Sequence, residues 1–163
     1  MKKITIKGGQ PFSTPRFKVL SFNPKQVVID FQLTDESDYY ADEDDWYKLG
    51  GLSFSLIPDK HAAMFGIRKI ETGWQLTPYI NYNKEKIYNF DALYIDKNIP
   101  YQATITNLGH RLIFEVIRMG EPNWQWFVPF DKWGWLGFVR QFYAGGDSFP
   151  LNTFSLYYQI QIK

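Results

Sequence analysis

The chain has 163 residues, of which 45% are hydrophobic, and it carries 18 Lys and Arg against 17 Asp and Glu. This length favours a single domain, the composition excludes a largely disordered chain, and the net charge of +1 disfavours a nucleic-acid-binding protein. The absence of Cys excludes disulfides, a thiolate nucleophile and a cysteine-based metal site.

The N-terminal segment predicts an extended arm. Residues 1–15 are rich in Gly and Pro, and we expect them to extend from one domain that spans residues 1–163. The first nine residues lack the apolar run of a secretory signal peptide, which predicts a cytoplasmic or virion location. No apolar run approaches the roughly 18 residues that a membrane-spanning helix needs.

Hydrophobic and polar residues alternate with a period of two along most of the chain, which predicts strands with one buried face. Turn residues such as Asn23-Pro24 and Gly120-Glu121-Pro122 separate these segments. In chain order, the predicted strands are 3–7, 16–22, 27–33, 52–56, 62–70, 73–82, 86–95, 101–106, 111–118, 123–130, 136–143 and 154–162.

The spacing of these segments predicts the fold class. No segment shows the 3.6-residue period of an amphipathic helix. About a dozen short strands, each followed by turn residues, are typical of an all-β fold built as an antiparallel two-sheet β-sandwich of the jelly-roll type. The chain shows no internal repeat, which disfavours a propeller or a solenoid.

Acidic residues concentrate in one segment. Eight of the 17 Asp and Glu lie between Asp30 and Asp45, where there is no Lys or Arg. Clustered carboxylates suit Ca²⁺, which takes six to eight oxygen ligands, although the spacing differs from that of an EF-hand. Residues 35–45 are therefore either a solvated loop or a Ca²⁺ site, and no other metal or cofactor is predicted.

Patterns of catalytic residues are weak. No strand carries two acidic residues on one face as a glycosidase pair would require, and Glu115 is the only acidic residue of its segment. His61 and His110 both lie near turns, and there is no Gly-x-Ser-x-Gly motif. We assign no catalytic residue, and the sequence favours binding over catalysis.

Aromatic residues are abundant, and two pairs of Trp are notable. Trp124 and Trp126 share one face of a predicted strand, and Trp133 and Trp135 follow directly after Asp131-Lys132. Such rings either fill the core of a sandwich or form a stacking platform for sugar rings or a protein partner.

Two predicted strands offer a candidate polar face. In residues 73–82, Gln75, Tyr79 and Asn81 lie opposite the apolar side, and in residues 62–70 Arg68 lies opposite Ala63, Phe65 and Ile67. If the strands are neighbours, their polar side chains line one sheet surface. This face is either an ordinary wet surface or a saccharide-binding one, since mixed donors and acceptors beside a Tyr ring suit sugars.

From about Trp46 onward the chain resembles proteins of the concanavalin A-like lectin/glucanase superfamily, including small uncharacterised domains of Bacteroidetes or phage type. The segments that carry the resemblance are Lys48-Leu49-Gly50-Gly51-Leu52-Ser53-Phe54, Met64-Phe65-Gly66-Ile67-Arg68, Gln141-Phe142-Tyr143-Ala144-Gly145-Gly146-Asp147 and Ile160-Gln161-Ile162. The resemblance covers roughly 115 residues and implies a jelly-roll sandwich.

The segment from Gln141 to Gly145 is also similar to the Tyr-Phe-Lys-Ala-Gly strand of alginate-lyase-like enzymes of this superfamily, although it lacks that motif's first Tyr and its Lys. Their Arg-x-Glu-Leu-Arg and Gln-Ile-His motifs are absent. The similarity implies that Gln141 and Tyr143 point to the concave sheet face and that Phe142 points to the core.

Together these observations predict a non-enzymatic, lectin-like binding or structural domain. The predicted ligand-binding residues are Arg68, Gln75, Tyr79, Asn81, Gln141 and Tyr143. The predicted partners are a glycan or other subunits of an assembly, such as a homo-oligomeric bacteriophage decoration, spike or fibre domain. The alternative is a polysaccharide lyase or glycoside hydrolase of the same fold.

Overall fold

The protein is described by a computed structural model. It describes residues 1–9, 12–13, 20–22, 24–37, 46–54, 61–83, 85–87, 90–118, 121, 123–130, 136–144 and 153–163. Every regular element in these ranges is a β-strand, and no helix there is long and apolar enough to cross a membrane. The predicted all-β class is therefore confirmed.

Alternation of apolar and polar residues produces most of these strands, as predicted. In chain order they are β1 (Lys2–Ile6), β2 (Phe12–Ser13), β3 (Leu20–Phe22), β4 (Gln26–Leu33), β5 (Tyr47–Ser53), β6 (His61–Ile70), β7 (Gly73–Tyr82), β8 (Glu85–Ile87), β9 (Leu93–Ile95), β10 (Tyr101–Asn107), β11 (Arg111–Arg118), β12 (Trp124–Pro129), β13 (Leu136–Arg140), β14 (Tyr143–Ala144) and β15 (Phe154–Ile162).

The strands form two antiparallel sheets. Within the described ranges, the first sheet has the order β1-β15-β4-β10-β11-β12, and the second has the order β2-β14-β5-β6-β7-β8. In the second sheet, β13 also pairs with β5 and β3, and β9 pairs with β7. Non-consecutive neighbours such as β15 and β4 are what a jelly-roll connectivity requires.

The main core lies between the two sheets. Phe31, Phe114 and Phe154 of the first sheet are buried with Phe65 and Trp74 of the second. The ring centroids of Phe65 and Phe114 are 5.1 Å apart in an edge-to-face arrangement, which is a favoured geometry for aromatic pairs. Burial of these large rings holds the sheets together and leaves one face of each sheet outside the core.

Two segments that were each predicted as one continuous strand are divided into two strands in the structure. Residues 86–95 form β8 and β9, two short strands that both pair with β7. Residues 136–143 form β13 and β14, separated by Gln141 and Phe142. The second interruption lies opposite a bulge in β5 between Lys48 and Gly50, because a bulge disturbs the ladder on its partner strand as well.

The predicted N-terminal arm contributes strands to both sheets. Its first part, β1, pairs with β15 along Lys2–Ile6 and buries Ile6 in the core. Its second part, β2, pairs with β14. Residues 10–11 and 14–15 of the arm lie outside the described ranges. These pairings contradict an arm that extends away from the sheets, while the extent of the domain stays a prediction.

Candidate functional site

The predicted polar residues of β6 and β7 lie on one face. The two strands are antiparallel neighbours, with Arg68 opposite Gln75 and Ala62 opposite Asn81. Alternate residues such as Phe65 are in the main core, so the polar set points away from it. The two strands are therefore neighbours, which is the condition that the candidate polar face required, and we call this surface the outer face of the second sheet.

The neighbouring strands β5 and β14 extend the outer face. Lys48 pairs with Gly66 on one side and with Tyr143 on the other. The Lys48 ammonium lies 5.0 Å from the ring centroid of Tyr79 and 6.0 Å from that of Tyr143. Both distances are within the range of a cation–π interaction, so one Lys connects two of the predicted site residues.

Trp46, just before β5, completes the aromatic part of the face. The Arg68 guanidinium carbon lies 4.3 Å from the Trp46 ring centroid. Gly66 makes room for this arrangement, since a Cβ there would lie 3.3 Å from Trp46 Cβ and 3.4 Å from Tyr79 Cβ. A larger residue would therefore push apart the two rings on which Arg68 and Lys48 rest.

Sequence analysis missed Trp46 and Lys48 as site residues. The signal that could have found them is their parity: Trp46 and Lys48 are two residues apart in an extended segment and so share a face. In the sequence, the Lys48 segment supports only the resemblance to the superfamily.

Several predicted residues of the outer face are buried, which disfavours the ordinary wet surface, one of the two interpretations that the sequence left open. Tyr79 is 2% exposed, Gln75 8% and Asn81 2%. Trp46, Ala62, Met64 and Tyr79 form a second buried cluster, with Ala92 packed against it. Because Ala62 and Gly66 are small, the larger rings lie down over β6 instead of standing in solvent. Arg68, Gln141 and Tyr143 remain half-buried and reach the surface.

Polar groups of the site are only partly satisfied. Arg68 Nε donates to Gln75 Oε1 at 2.9 Å. Asn81 Oδ1 and Gln141 Nε2 are buried and have no hydrogen-bond partner in the described part of the chain. An unmet buried polar atom costs about 1–3 kcal/mol. Asn81 therefore has one unpartnered acceptor and Gln141 one unpartnered donor in the described part of the chain.

Tyr94 on β9 lies at the edge of the outer face. It pairs with Gln75, and its hydroxyl is 3.4 Å from Thr72 Oγ1. The hydrogen bond with Thr72, then that with Gln75 and the positive charge of Arg68, lower the pKa of Tyr94 although slight burial opposes them. Tyr94 thus shares the polar network of Arg68 and Gln75.

On the described strands of the outer face, cationic residues outnumber acidic ones. Lys48, Arg68 and Arg140 have register positions on it, and Lys86 pairs with Asn81 at its edge. In the described strands of this sheet, the one acidic residue is Glu85, whose partner Tyr82 belongs to the opposite side. A surface with several cations and few carboxylates attracts anionic ligands.

The two histidines lie at different places in the fold. His61 begins β6, with its ring centroid 5.3 Å from that of Tyr82, and His110 is exposed in the turn between β10 and β11.

On the first sheet, Glu115 accepts hydrogen bonds from Asn123 at 3.1 Å and Gln125 at 2.7 Å. No acid pair for hydrolysis occurs on the described strands of the outer face.

The predicted Ca²⁺ segment is described only in part. Asn98 donates to Asp35, and Lys3 donates to Glu36 at 3.0 Å. Residues 38–45 lie outside the described ranges. Within those ranges no group of three or more His, Asp or Glu could hold a metal ion, so Ca²⁺ binding at residues 35–45 stays a prediction.

Comparisons with known proteins define the fold. No protein-family model matches the chain, and no curated protein sequence matches it. The alginate lyase of Klebsiella pneumoniae superposes with a TM-score of 0.61 at 11% identity, over 85% of this chain and 60% of the lyase. The chain therefore spans less than two thirds of the length of that enzyme.

Two further solved structures are similar. Scytalido-glutamic peptidase superposes with a TM-score of 0.56 at 7% identity, over 94% of this chain and 82% of the peptidase. The catalytic domain of a glycoside hydrolase family 131 protein from Coprinopsis cinerea gives 0.52 at 9% identity, over 98% of this chain and 68% of that domain. The chain therefore has the concanavalin A-like jelly-roll fold that the sequence predicted.

Proposed function

We propose that the protein binds an acidic oligosaccharide, without cleaving it, on the outer face of the second sheet. The observation that carries this proposal is that two cations, Lys48 and Arg68, rest on aromatic rings of the outer face, which also carries Asn81, whose buried Oδ1 lacks a hydrogen-bond partner in the described part of the chain. A guanidinium binds a carboxylate through charge-assisted hydrogen bonds, the half-buried ring of Tyr143 packs against a sugar ring, and amides bind hydroxyls.

The dimensions of the face suit an extended ligand. Gln75 and Asn81 are six residues apart on β7, which corresponds to about 20 Å along the strand. From β7 across β6 and β5 to β14 the width is about 14 Å at the usual strand spacing. Several sugar rings fit on a surface of this size. The similar alginate lyase is named for a uronate polymer, which makes uronate oligosaccharides the natural first probes.

Binding without catalysis is favoured by the residues of the face. Hydrolysis of a glycoside ordinarily uses two carboxyl groups across the scissile bond, and the described strands of this sheet offer only Glu85, at the opposite side. The lyase motifs that contain Arg, Glu and His are absent from the sequence. Fold alone does not assign an activity.

The test is calorimetric titration with uronate oligosaccharides prepared from alginate and with neutral xylo-oligosaccharides. We expect the uronate ligand to bind more tightly and to weaken as salt is added. Arg68→Gln should weaken uronate binding about tenfold or more, since a hydrogen bond to a charged group contributes about 1.5–3 kcal/mol.

Arg111→Gln is the matched control. Its guanidinium carbon lies 6.0 Å from the ring centroid of Phe127 on the first sheet, so it removes a comparable cation–π contact elsewhere, and we expect unchanged affinity. Equal binding of neutral and acidic ligands, or equal losses in both variants, would contradict the proposal. Formation of an unsaturated uronate product during the titration would replace it with a lyase activity.

A role in an assembly, including a phage virion, stays a separate prediction from the sequence. Light scattering coupled to size-exclusion chromatography tests it: a stable trimer or a larger particle would support an assembly role, and a monomer at all concentrations would contradict it. The predicted cytoplasmic or virion location likewise stays a prediction.

A further inference from the structure

A second concave site lies at one side of the sandwich, where the edge of the second sheet meets the edge strand of the first. The segment around β9 and the beginning of β12 enclose a cleft of about 370 Å³. Residues 91–94 line one wall and residues 124–126 line the other. We call it the β9–β12 cleft.

The wall formed by β12 is aromatic and held in place. Trp126 pairs with the core residue Phe114, and Trp124 pairs with Val116, so both indoles are on the inner side of the first sheet. The Trp126 indole N–H donates to the backbone oxygen of Asp91 at 3.0 Å, which joins the two walls. For Trp124 and Trp126, the sequence pattern left two interpretations open: core residues or a stacking platform. Trp126 packs against the core.

Trp124 provides the stacking surface of the cleft. It is half-buried, and its indole N–H has no acceptor in the described part of the chain. A flat apolar ring with a free donor at its edge matches the two aspects of a sugar, an apolar ring face and a rim of hydroxyls. An apolar ligand would use the ring and leave the donor unsatisfied, at a cost.

Tyr94 connects this cleft with the outer face. Its ring lines the cleft and is 56% exposed, while its hydroxyl lies near Thr72 Oγ1. In the ladder Tyr94 is opposite Gln75, which accepts a hydrogen bond from Arg68. A ligand chain that leaves the outer face at Arg68 therefore reaches the cleft across a single aromatic side chain.

The geometry points to the β9–β12 cleft as a further saccharide subsite, in which one sugar ring stacks on Trp124 while the rest of the same oligosaccharide occupies the outer face. This inference rests on the proposed function, since it extends the same ligand past Tyr94. The site then selects for ligand length: an oligosaccharide long enough to reach both surfaces binds more tightly than a short one.

The experiment compares a uronate disaccharide and a uronate hexasaccharide from alginate by calorimetry. For the unchanged protein we expect the hexasaccharide to bind more tightly. Trp124→Ala should remove about tenfold of that gain, the order of a lost aromatic contact, and should leave disaccharide binding unchanged. Trp124→Phe keeps a ring without the N–H and should lose only part of the gain.

Phe127→Ala is the matched control, because Phe127 is 58% exposed on the opposite side of the same strand. It should change neither affinity. If the hexasaccharide binds the Trp124→Ala protein as tightly as the unchanged one, or if both ligands weaken equally, the subsite is wrong while the proposed function stands. If neither ligand binds the unchanged protein, the proposed function fails and the subsite with it.

Discussion

At the scale of single residues, Gly51 determines how closely β5 approaches its neighbour β6. A Cβ on Gly51 would lie 2.1 Å from the backbone oxygen of Ala63 and 2.7 Å from Met64 Cα. Both atoms belong to the backbone of β6, so the clash cannot be relieved by rotating a side chain. Glycine therefore allows β5 and β6 to approach closely, although glycine in a strand usually weakens it.

We predict that Gly51→Ala destabilises the protein by about 3 kcal/mol, the upper end of the cost of overpacking. Gly109→Ala is the comparison, since Gly109 has a positive φ of 88° but a Cβ added there would meet no atom within 4 Å. Strain without a clash should cost about 1 kcal/mol. Urea denaturation measures both, and an equal or smaller loss for Gly51→Ala would contradict the close approach.

At the scale of elements, the segment that follows β4 links the two sheets. The backbone oxygen of Ser155 on β15 accepts hydrogen bonds from Thr34 N at 3.2 Å and from Thr34 Oγ1 at 3.0 Å, as well as from Ser37 Oγ. The backbone oxygen of Ser37 in turn accepts from Trp74 Nε1 at 2.8 Å. Residues 34–37 thus connect β15 of the first sheet with β7 of the second.

We expect Trp74→Phe to destabilise the protein by about 3 kcal/mol, because it leaves a buried carbonyl unpartnered and opens a small cavity. Trp126→Phe is the comparison, because it removes the same atoms from a Trp whose acceptor, the Asp91 backbone oxygen, is exposed to water. This substitution should lower the free energy of unfolding by less than about 1.5 kcal/mol. Thermal unfolding distinguishes them. Equal losses would mean that the Ser37 contact does not stabilise the sandwich.

The edge strand β1 has a pH-dependent contact. Lys3 donates to Glu36, and this hydrogen bond, followed by one with Ser155 and by the charge of Lys3, lowers the pKa of Glu36. A carboxyl whose pKa is lowered in the folded state adds stability above its unfolded pKa and loses it as the pH falls through the folded pKa.

Glu36→Gln should therefore lower the Tm near neutral pH, and the difference from the unchanged protein should disappear in acid below that lowered pKa. Glu85→Gln, a loss of the same charge on the exposed strand β8, should leave the Tm nearly unchanged at both pH values. A Tm difference for Glu36→Gln that grows in acid would contradict the assignment of this contact.

At the scale of the whole molecule, local sequence patterns predicted on which sheet face each site residue lies, whereas packing between distant residues determined how deeply each one is buried. The positions of Arg68, Gln75, Tyr79 and Asn81 follow from a period of two, which depends only on neighbouring residues. Phe142 likewise points into the core, as the resemblance implied. What the sequence could not predict is the burial of Tyr79, because that depends on Trp46 lying over Gly66 on another strand.

In the proposed function, an acidic oligosaccharide occupies the outer face of the second sheet. The most direct measurement is an NMR titration of the side-chain amide groups with a uronate hexasaccharide. We predict that the signals of Gln75, Asn81 and Gln141 shift, while those of Gln102 and Asn107 on the first sheet do not. Shifts confined to Gln102 and Asn107, or no shift at any amide, would contradict the claim.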